Sequence, residues 1–328
     1  MIRYDLRVAP DNARVTHAQQ YSEALQMARW ADERGFAAVG LSEHHGTDDG
    51  FMNSPLTLAA AILGGTRSIA VSINALLVPL HDPVRLAEEI ATIDLIAPGR
   101  LSVTVGLGYR PEEFDMFGKE LPDRVRDFED AVRLMLDAWQ TGDATYRGRT
   151  VRIRPRPATT PHPALVIGGS VPASARRAAR FGLPYCPAVP DQRLAEIYYA
   201  EAAAVGFTNP VAMLGTSPGL VLVTRDPDAV WAEIGPNLLY DAQIYESWQG
   251  PEHKSSWRTA ARTVEELRTS PNYAVVTPEQ CVALVQLHGM AVLHPLVAGI
   301  DPRIGWETLE LVHSEVMPAL AAASPAGT

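Results

Sequence analysis

The chain has 328 residues, 47% of them hydrophobic and 20% charged, the make-up of a folded protein with a substantial core. Its formal charge of −10 opposes the basic surface that a nucleic-acid partner needs, and no apolar run is long enough to cross a bilayer. Two distant cysteines, Cys186 and Cys281, exclude a disulfide framework and a cysteine zinc site. The start, MIRYDLRVAP, lacks an apolar stretch of signal-peptide length. The expected setting is the cytoplasm; the charge allows small-molecule partners but does not choose one.

Residues 2–8 alternate Tyr4, Leu6 and Val8 with Arg3, Asp5 and Arg7, which predicts a short strand with the charged set on its other face. Apolar positions recur at helical spacing over 17–34, and Gly35 ends that helix. A nearly all-apolar run, 36–41, reads as a buried strand. Ser54-Pro55 supplies an N-cap and a first-turn proline for a helix over 56–64, and Asp82-Pro83 does the same for 84–96. Strands are predicted over 69–77 and 101–108. A helix over 123–140 carries a core stripe of Val125, Phe128, Val132, Met135 and Trp139. TYRGRTVRIRPRP reads as a hairpin turning at Arg147-Gly148. A strand over 164–167, a helix over 173–181, a strand near 183–187, a helix over 192–205 and a strand over 220–224 follow. Residues 235–275, polar and bearing Tyr240, Tyr245, Trp248 and Trp257, match no element and are either a lid over an apolar pocket or surface structure packed by its own aromatics. A last helix, strand and helix are placed at 278–288, 291–297 and 306–320.

About eight strand–helix units without a dividing linker predict an α/β fold, a (β/α)₈ TIM barrel with insertions, as one domain over 1–328. The rival doubly wound fold lacks its GxGxxG after the first strand, and Gly106-Leu107-Gly108 has only two of the three glycines.

In a barrel the chemistry sits where strands end and helices begin. There the second loop holds Glu43-His44-His45. Successive side chains of an extended segment point to opposite sides, so one histidine can face the barrel mouth and the other its flank. A zincin would need HExxH on a helix, and this is neither, so no metal is expected. The loop after 164–167 reads Gly168-Gly169-Ser170 and leads into a helix. Its bare backbone N–H groups, the hydroxyl and the helix dipole suit a phosphate.

Taken together, LSEHHGTDDGFMNSPLTLAAAILGGT, LLVPLHDPVRLAEEIATIDLIAPGRLSVTVGLGYRPEEFDMFG, RPRPATTPHPALVIGGS and WETLELVHSEVMPAL resemble the bacterial luciferase-like flavin-dependent monooxygenases in order and spacing, over nearly the whole chain except 206–275. The resemblance implies a barrel that binds flavin at its C-terminal mouth, with reduced FMN supplied by a separate flavin reductase that binds transiently. It implies that His44 is catalytic, with Glu43 beside it as support. It places the flavin ring over the end of the third strand, at Asn74 and Ala75, often at a non-prolyl cis peptide. It assigns the phosphate to Gly168, Gly169 and Ser170. Luciferase chains carry an arginine where this chain has Leu107, so Arg110 is the candidate replacement. For a second phosphate arginine, Arg124 lies on the side of the core stripe and is preferred to Arg126. His294, near the end of the last strand, is a further candidate for the pocket.

Three functions stay open: an FMN oxygenase acting on a small organic substrate, a deazaflavin-dependent hydride-transfer enzyme, and a flavin-binding barrel without catalysis. The family commonly pairs as a homodimer through the helices after the second and third strands. Here the first of these, SPLTLAAAILGG, is apolar almost all round, with Ala59, Ala60 and Ala61 in excess of one core-facing stripe.

Overall fold

The computed structural model describes residues 1–11, 15–215, 218–250 and 259–323. Its elements in chain order are β1 (Ile2–Tyr4), α1 (His17–Asp32), β2 (Ala38–Leu41), α2 (Pro55–Gly64), β3 (Ala70–Leu77), α3 (Pro83–Ile96), β4 (Leu101–Gly106), α4 (Pro111–Met116), α5 (Arg124–Thr141), β5 (Asp143–Tyr146), β6 (Arg149–Arg152), β7 (Ala164–Gly168), α6 (Pro172–Phe181) and β8 (Tyr185–Cys186). They continue with α7 (Gln192–Ala204), β9 (Leu220–Val223), α8 (Pro227–Trp248), α9 (Val264–Leu267), β10 (Tyr273–Val276), α10 (Pro278–His288), α11 (Pro302–Leu311) and α12 (Met317–Ala323). The chain divides into two compact units. One comprises Met1–Gly40, Asp48–Phe51 and Thr216–Thr328, the other Leu41–Thr47 and Met52–Gly215.

In the second unit β3, β4, β7 and β8 lie side by side in that order, each parallel to its neighbour. The helices between them start where their caps dictate. Asp82 accepts from the N–H groups of Val84 and Arg85, and Pro83 fills the first turn of α3. Pro55 does the same for α2, but Ser54 provides no side-chain cap; its hydroxyl donates to Asn53 Oδ1. α5 buries Phe128, Val132, Met135 and Trp139 as its periodicity requires, and the Trp139 indole donates to Ala87 O on α3. Val125, expected in that stripe, is exposed in the first turn. β5 and β6 form the antiparallel hairpin, with Arg147 at φ 49° and Gly148 at φ 73°. Two positive φ values in a two-residue loop match the twist of the flanking strands.

The first unit brings β1 beside β2 and pairs β9 parallel to β10. Leu293 joins these pairs through parallel bridges to Ile2 and to Val221. The strand expected over 291–297 is therefore reduced to bridge contacts, and Val297–Gly299 turns as a 3-10 helix. β1 also stops early, at Tyr4, and the charged set of 2–8 is largely turned inward. Asp5 and Arg7 are buried. The Arg7 guanidinium bonds Asp241, lies 3.5 Å from Asp49, and sits over the rings of Tyr245 at 4.6 Å, Phe51 at 5.1 Å and Trp248 at 5.7 Å. Two carboxylates and an aromatic surround offset the desolvation that would otherwise exclude this charge. Much of 235–275 thus has a definite place: α8, with Tyr245 and Trp248 packed on Arg7 and Phe51, then α9 and β10. Trp257 lies outside the described residues. His294 is buried in this unit, where desolvation pushes its imidazole down to about 3 and keeps it neutral.

Candidate active site

The loop after β2 is buried: Ser42, Glu43, His44 and His45 all lie inside the second unit. The two adjacent histidines take separate partners, as an extended backbone demands. His44 Nδ1 donates to Glu113 Oε1 at 2.9 Å. His45 Nε2 donates to Glu43 Oε1 at 3.0 Å, and the His45 ring stands edge-on to Phe117 with centroids 4.7 Å apart. The support expected for His44 from Glu43 is supplied by Glu113, 69 positions further along the chain.

Glu113 stands in the first turn of α4, and a single oxygen collects its donors. Besides His44, Oε1 accepts from His45 N at 3.0 Å and from Arg110 Nη1 at 3.2 Å. Burial pushes the Glu113 carboxyl up. The hydrogen bond and charge of His44, the His45 N–H and Arg110 outweigh burial, and the net shift is downward. Glu113 is therefore a carboxylate, which can only accept, so His44 Nδ1 must carry a proton. Glu113 Oε2 is buried and has no hydrogen-bond partner among the described residues. Tyr109 stands edge-on to the His44 ring at 6.0 Å.

Glu43 is a second hub. It accepts from His45 and, at 2.7 Å, from His81 Nε2, and its other oxygen takes the N–H of Leu77 at the end of β3. Burial raises its pKa, but the bonds from His45 and His81, the charge of His81 and the Leu77 N–H bring it to about 2. His81 is shifted the other way: burial lowers it, and Glu43, then Glu89, raise it further than burial lowers it.

The peptide bond Asn74-Ala75 is cis, at the position the resemblance implied. Asn74 Oδ1 accepts from Thr104 Oγ1 at 2.7 Å, and the β3–β4 register shifts between Asn74 and Leu76, so Ala75 bulges from the ladder. A Cβ on Gly106, in β4, would stand 3.1 Å from Ala75 Cβ, so a bare backbone fits best there. At the end of β7, Gly169 has φ 122°, and a Cβ there would meet Ser174 Cβ at 2.9 Å. Ser170 Oγ accepts from Ala188 N at 3.0 Å, just before α6 begins.

Of the two arginines expected at a phosphate, Arg110 is buried and directs Nη1 to His45 O at 3.0 Å and to Glu113. Arg124 is half-buried at the start of α5, its Nη1 on Leu121 O at 2.8 Å, while Arg126 is exposed among Asp123 and Asp127. A flavin fits these features: the bulged strand end at Ala75, the buried Glu113 oxygen awaiting a donor, and the glycine turn at a helix N-terminus. Glu113, His81 and Tyr109 escaped the sequence reading. Their signals were PEEF behind GYR and the histidine directly before the Asp82 cap.

A family model described as Luciferase-like monooxygenase matches residues 6–292, and the chain belongs to that family. Among curated relatives, the uncharacterized protein y4wF of Sinorhizobium fredii (strain NBRC 101917 / NGR234) is 35% identical over 172 residues, 50% of this chain and 50% of that one. The alkanal monooxygenase beta chain of Vibrio harveyi is 25% identical over 178 residues, 53% and 55% of the two chains. The chain thus spans about half the length of the curated relatives it matches.

Solved structures align over nearly all of it. Monooxygenase RslO1 from Streptomyces bottropensis has a TM-score of 0.74 at 22% identity, covering 97% of this chain and 98% of that one. The oxygenating constituent of 3,6-diketocamphane monooxygenase from the CAM plasmid of Pseudomonas putida, in complex with FMN, has a TM-score of 0.66 at 18% identity over 97% of both. An F420-dependent secondary alcohol dehydrogenase, in complex with an F420-acetone adduct, has 0.68 at 19%, covering 97% and 98%. At these identities the likeness carries the fold, which is the luciferase-like TIM barrel expected above.

Proposed function

We propose that the chain is an oxygenase that uses reduced FMN, delivered by a separate reductase, and O₂ to oxidise a small organic substrate, with His44 as its acid–base group. The observation that carries this reading is the buried His44–Glu113 pair. Because Nδ1–H is committed to a carboxylate, Nε2 is the nitrogen through which His44 takes up or releases a proton. Glu113 orients the ring and fixes its Nδ1–H tautomer. Gly168, Gly169, Ser170 and Arg124 would hold the phosphate, and Asn74-Ala75 with Gly106 would face the ring system. When bound, the flavin supplies the electrons that activate oxygen. The chain works as one domain, in the cytoplasm, as a homodimer; among the described residues no helix is long and apolar enough to cross a membrane.

A deazaflavin-dependent hydride transfer is the second reading. Leu107 stands where luciferase chains carry an arginine, and Arg110 is turned to Glu113, so the site offers fewer cations to an FMN dianion. Reconstitution separates the two. Oxygen uptake with reduced FMN, stimulated by substrate, supports the oxygenase. Reduction of deazaflavin by an alcohol, with no oxygen consumed, replaces it with the second reading. Tight binding of either cofactor with neither reaction leaves a barrel without catalysis.

A further inference from the structure

α5 and α6 enclose a groove of about 400 Å³ on the second unit, and its walls carry four guanidinium groups. Arg133 comes from α5, and Arg176, Arg177 and Arg180 come from α6, with Phe181 beside them. The chain as a whole is strongly acidic, yet α6, PASARRAARF, contains no acidic residue. The groove is a local reversal of the protein's charge.

Ion pairing does not use these groups up. Glu129 is the one carboxylate that lines the groove, and it takes Arg177 Nε at 2.8 Å. Glu201 takes Arg180 Nε at 2.7 Å and lies 3.9 Å from Arg176. Asp130 lies 3.6 Å from Arg133, beyond hydrogen-bond distance. Among the described residues, therefore, none of the four makes a hydrogen bond through its terminal nitrogens. Those are the nitrogens that fork onto an oxyanion. Arg177 is only 9% exposed and packs over the Phe128 ring at 5.7 Å, so its free fork is held in place before any ligand arrives. One carboxylate is saturated by one fork. Several forks on one small volume suit a phosphate, with three oxygens and two charges, or a diphosphate.

We propose that this groove binds a phosphate-bearing small molecule, with the phosphate on Arg133, Arg176 and Arg177 and the body of the ligand against Phe181. The volume is that of an ordinary small-ligand pocket. The inference stands apart from the flavin reading, because none of these residues belongs to the site around His44 or to the Gly168, Gly169 and Ser170 turn.

The test is calorimetric titration of the full chain at low salt with inorganic pyrophosphate, ADP, FMN and riboflavin. Arg133→Glu changes one wall, and Arg176→Gln with Arg180→Gln changes the other through exposed side chains; thermal melts confirm that the variants are folded. The expected result is binding of pyrophosphate and ADP by the parent, weakened about tenfold to hundredfold in both variants, as loss of charged hydrogen bonds predicts. Unchanged FMN affinity identifies a second phosphorylated ligand. FMN weakened to the level of riboflavin makes the groove part of the cofactor's own site and overturns a separate ligand there. The proposal is overturned if pyrophosphate and ADP fail to bind and FMN affinity is unmoved by either variant, or if the variants bind all probes as the parent does.

Discussion

A carboxylate beneath a histidine decides which ring nitrogen is left to exchange a proton. In this chain the carboxylate is Glu113, and the nitrogen it fixes is Nδ1 of His44. Replacing His44 with Ala should lower kcat by about 10²–10⁴, the usual worth of a general acid–base group, while leaving reduced-flavin affinity near the parent value. An unchanged turnover number with a genuine substrate would remove His44 from the chemistry. Glu113→Gln tests the positioning role separately. An amide can donate to Nδ1 as well as accept from it, so the ring loses its imposed tautomer. The expected outcome is a fall in kcat with little change in KM, and a displaced pH profile of kcat; a profile identical to the parent's would reduce Glu113 to packing. Glu43 makes a prediction about stability instead. Its folded pKa, about 2, is below the ordinary 4.5 of a glutamate, so its contribution is present above pH 4.5 and is lost as pH falls from there toward 2. His81, raised above 6.5, adds stability that is present below that value and lost as pH rises through its folded pKa. Glu43→Gln should cost about 3 kcal/mol at neutral pH and flatten the acid limb of the melting curve. Parallel acid limbs in parent and variant would show that Glu43 is not the titrating group.

At the scale of elements, the turn from β7 into α6 is the clearest case of local sequence setting a backbone geometry, one that the proposed phosphate site would use. Gly169 is required by its φ and by the closeness of Ser174, and Ser170 follows at the mouth of the helix. Ser170→Asp should repel a phosphate dianion at close range and weaken FMN much more than riboflavin. Equal FMN binding by parent and variant would move the phosphate elsewhere, with the arginine groove between α5 and α6 the first place to look. The same contrast between local and distant determinants explains what the sequence disclosed. α3 and α10 were readable nearly to the residue because Asp82 and Thr277 cap them within three positions of their own starts. The Arg147-Gly148 hairpin was readable because the turn specifies it. β10 was not, because its partner is β9, 53 positions back by register. The strand expected over 291–297 shrank because only Leu293 finds partners, Ile2 and Val221, and sequence spacing does not reveal them. The site follows the same rule. Glu43, His44 and His45 were visible as a motif, and the alternation of the two histidines followed from backbone geometry. The wiring to Glu113 and His81 depends on which loops the barrel brings together, so it had to be seen.

At the scale of the molecule, the remaining question is what covers α2. The helix, PLTLAAAILG, has no charged residue. It buries Leu56, Leu58, Ala59, Ile62 and Leu63 within its own chain. Ala59 therefore leaves the outward face that was expected to include it, and Ala60 is half-buried. What remains outward is Thr57, Ala61 and Gly64, spaced by four and three positions and so aligned along one stripe. Beside it the end of α3 exposes Leu95 at 42% and Ile96 at 53%, next to Gly64. Small residues flanked by exposed aliphatics let a second helix approach closely, and a twofold axis through this stripe would cover both copies at once. The proposed homodimer pairs here. Ala61→Arg is the sharper variant, since Ala61 is exposed in the single chain and the substitution disturbs no core. It should set like charges against each other near the axis and give a folded monomer, with Ala60→Arg acting in the same direction at some cost to folding. Sedimentation velocity at micromolar concentration reads the result. A parent protein that sediments as a monomer would end the proposal, and an Ala61→Arg protein that stays dimeric would move the interface off α2.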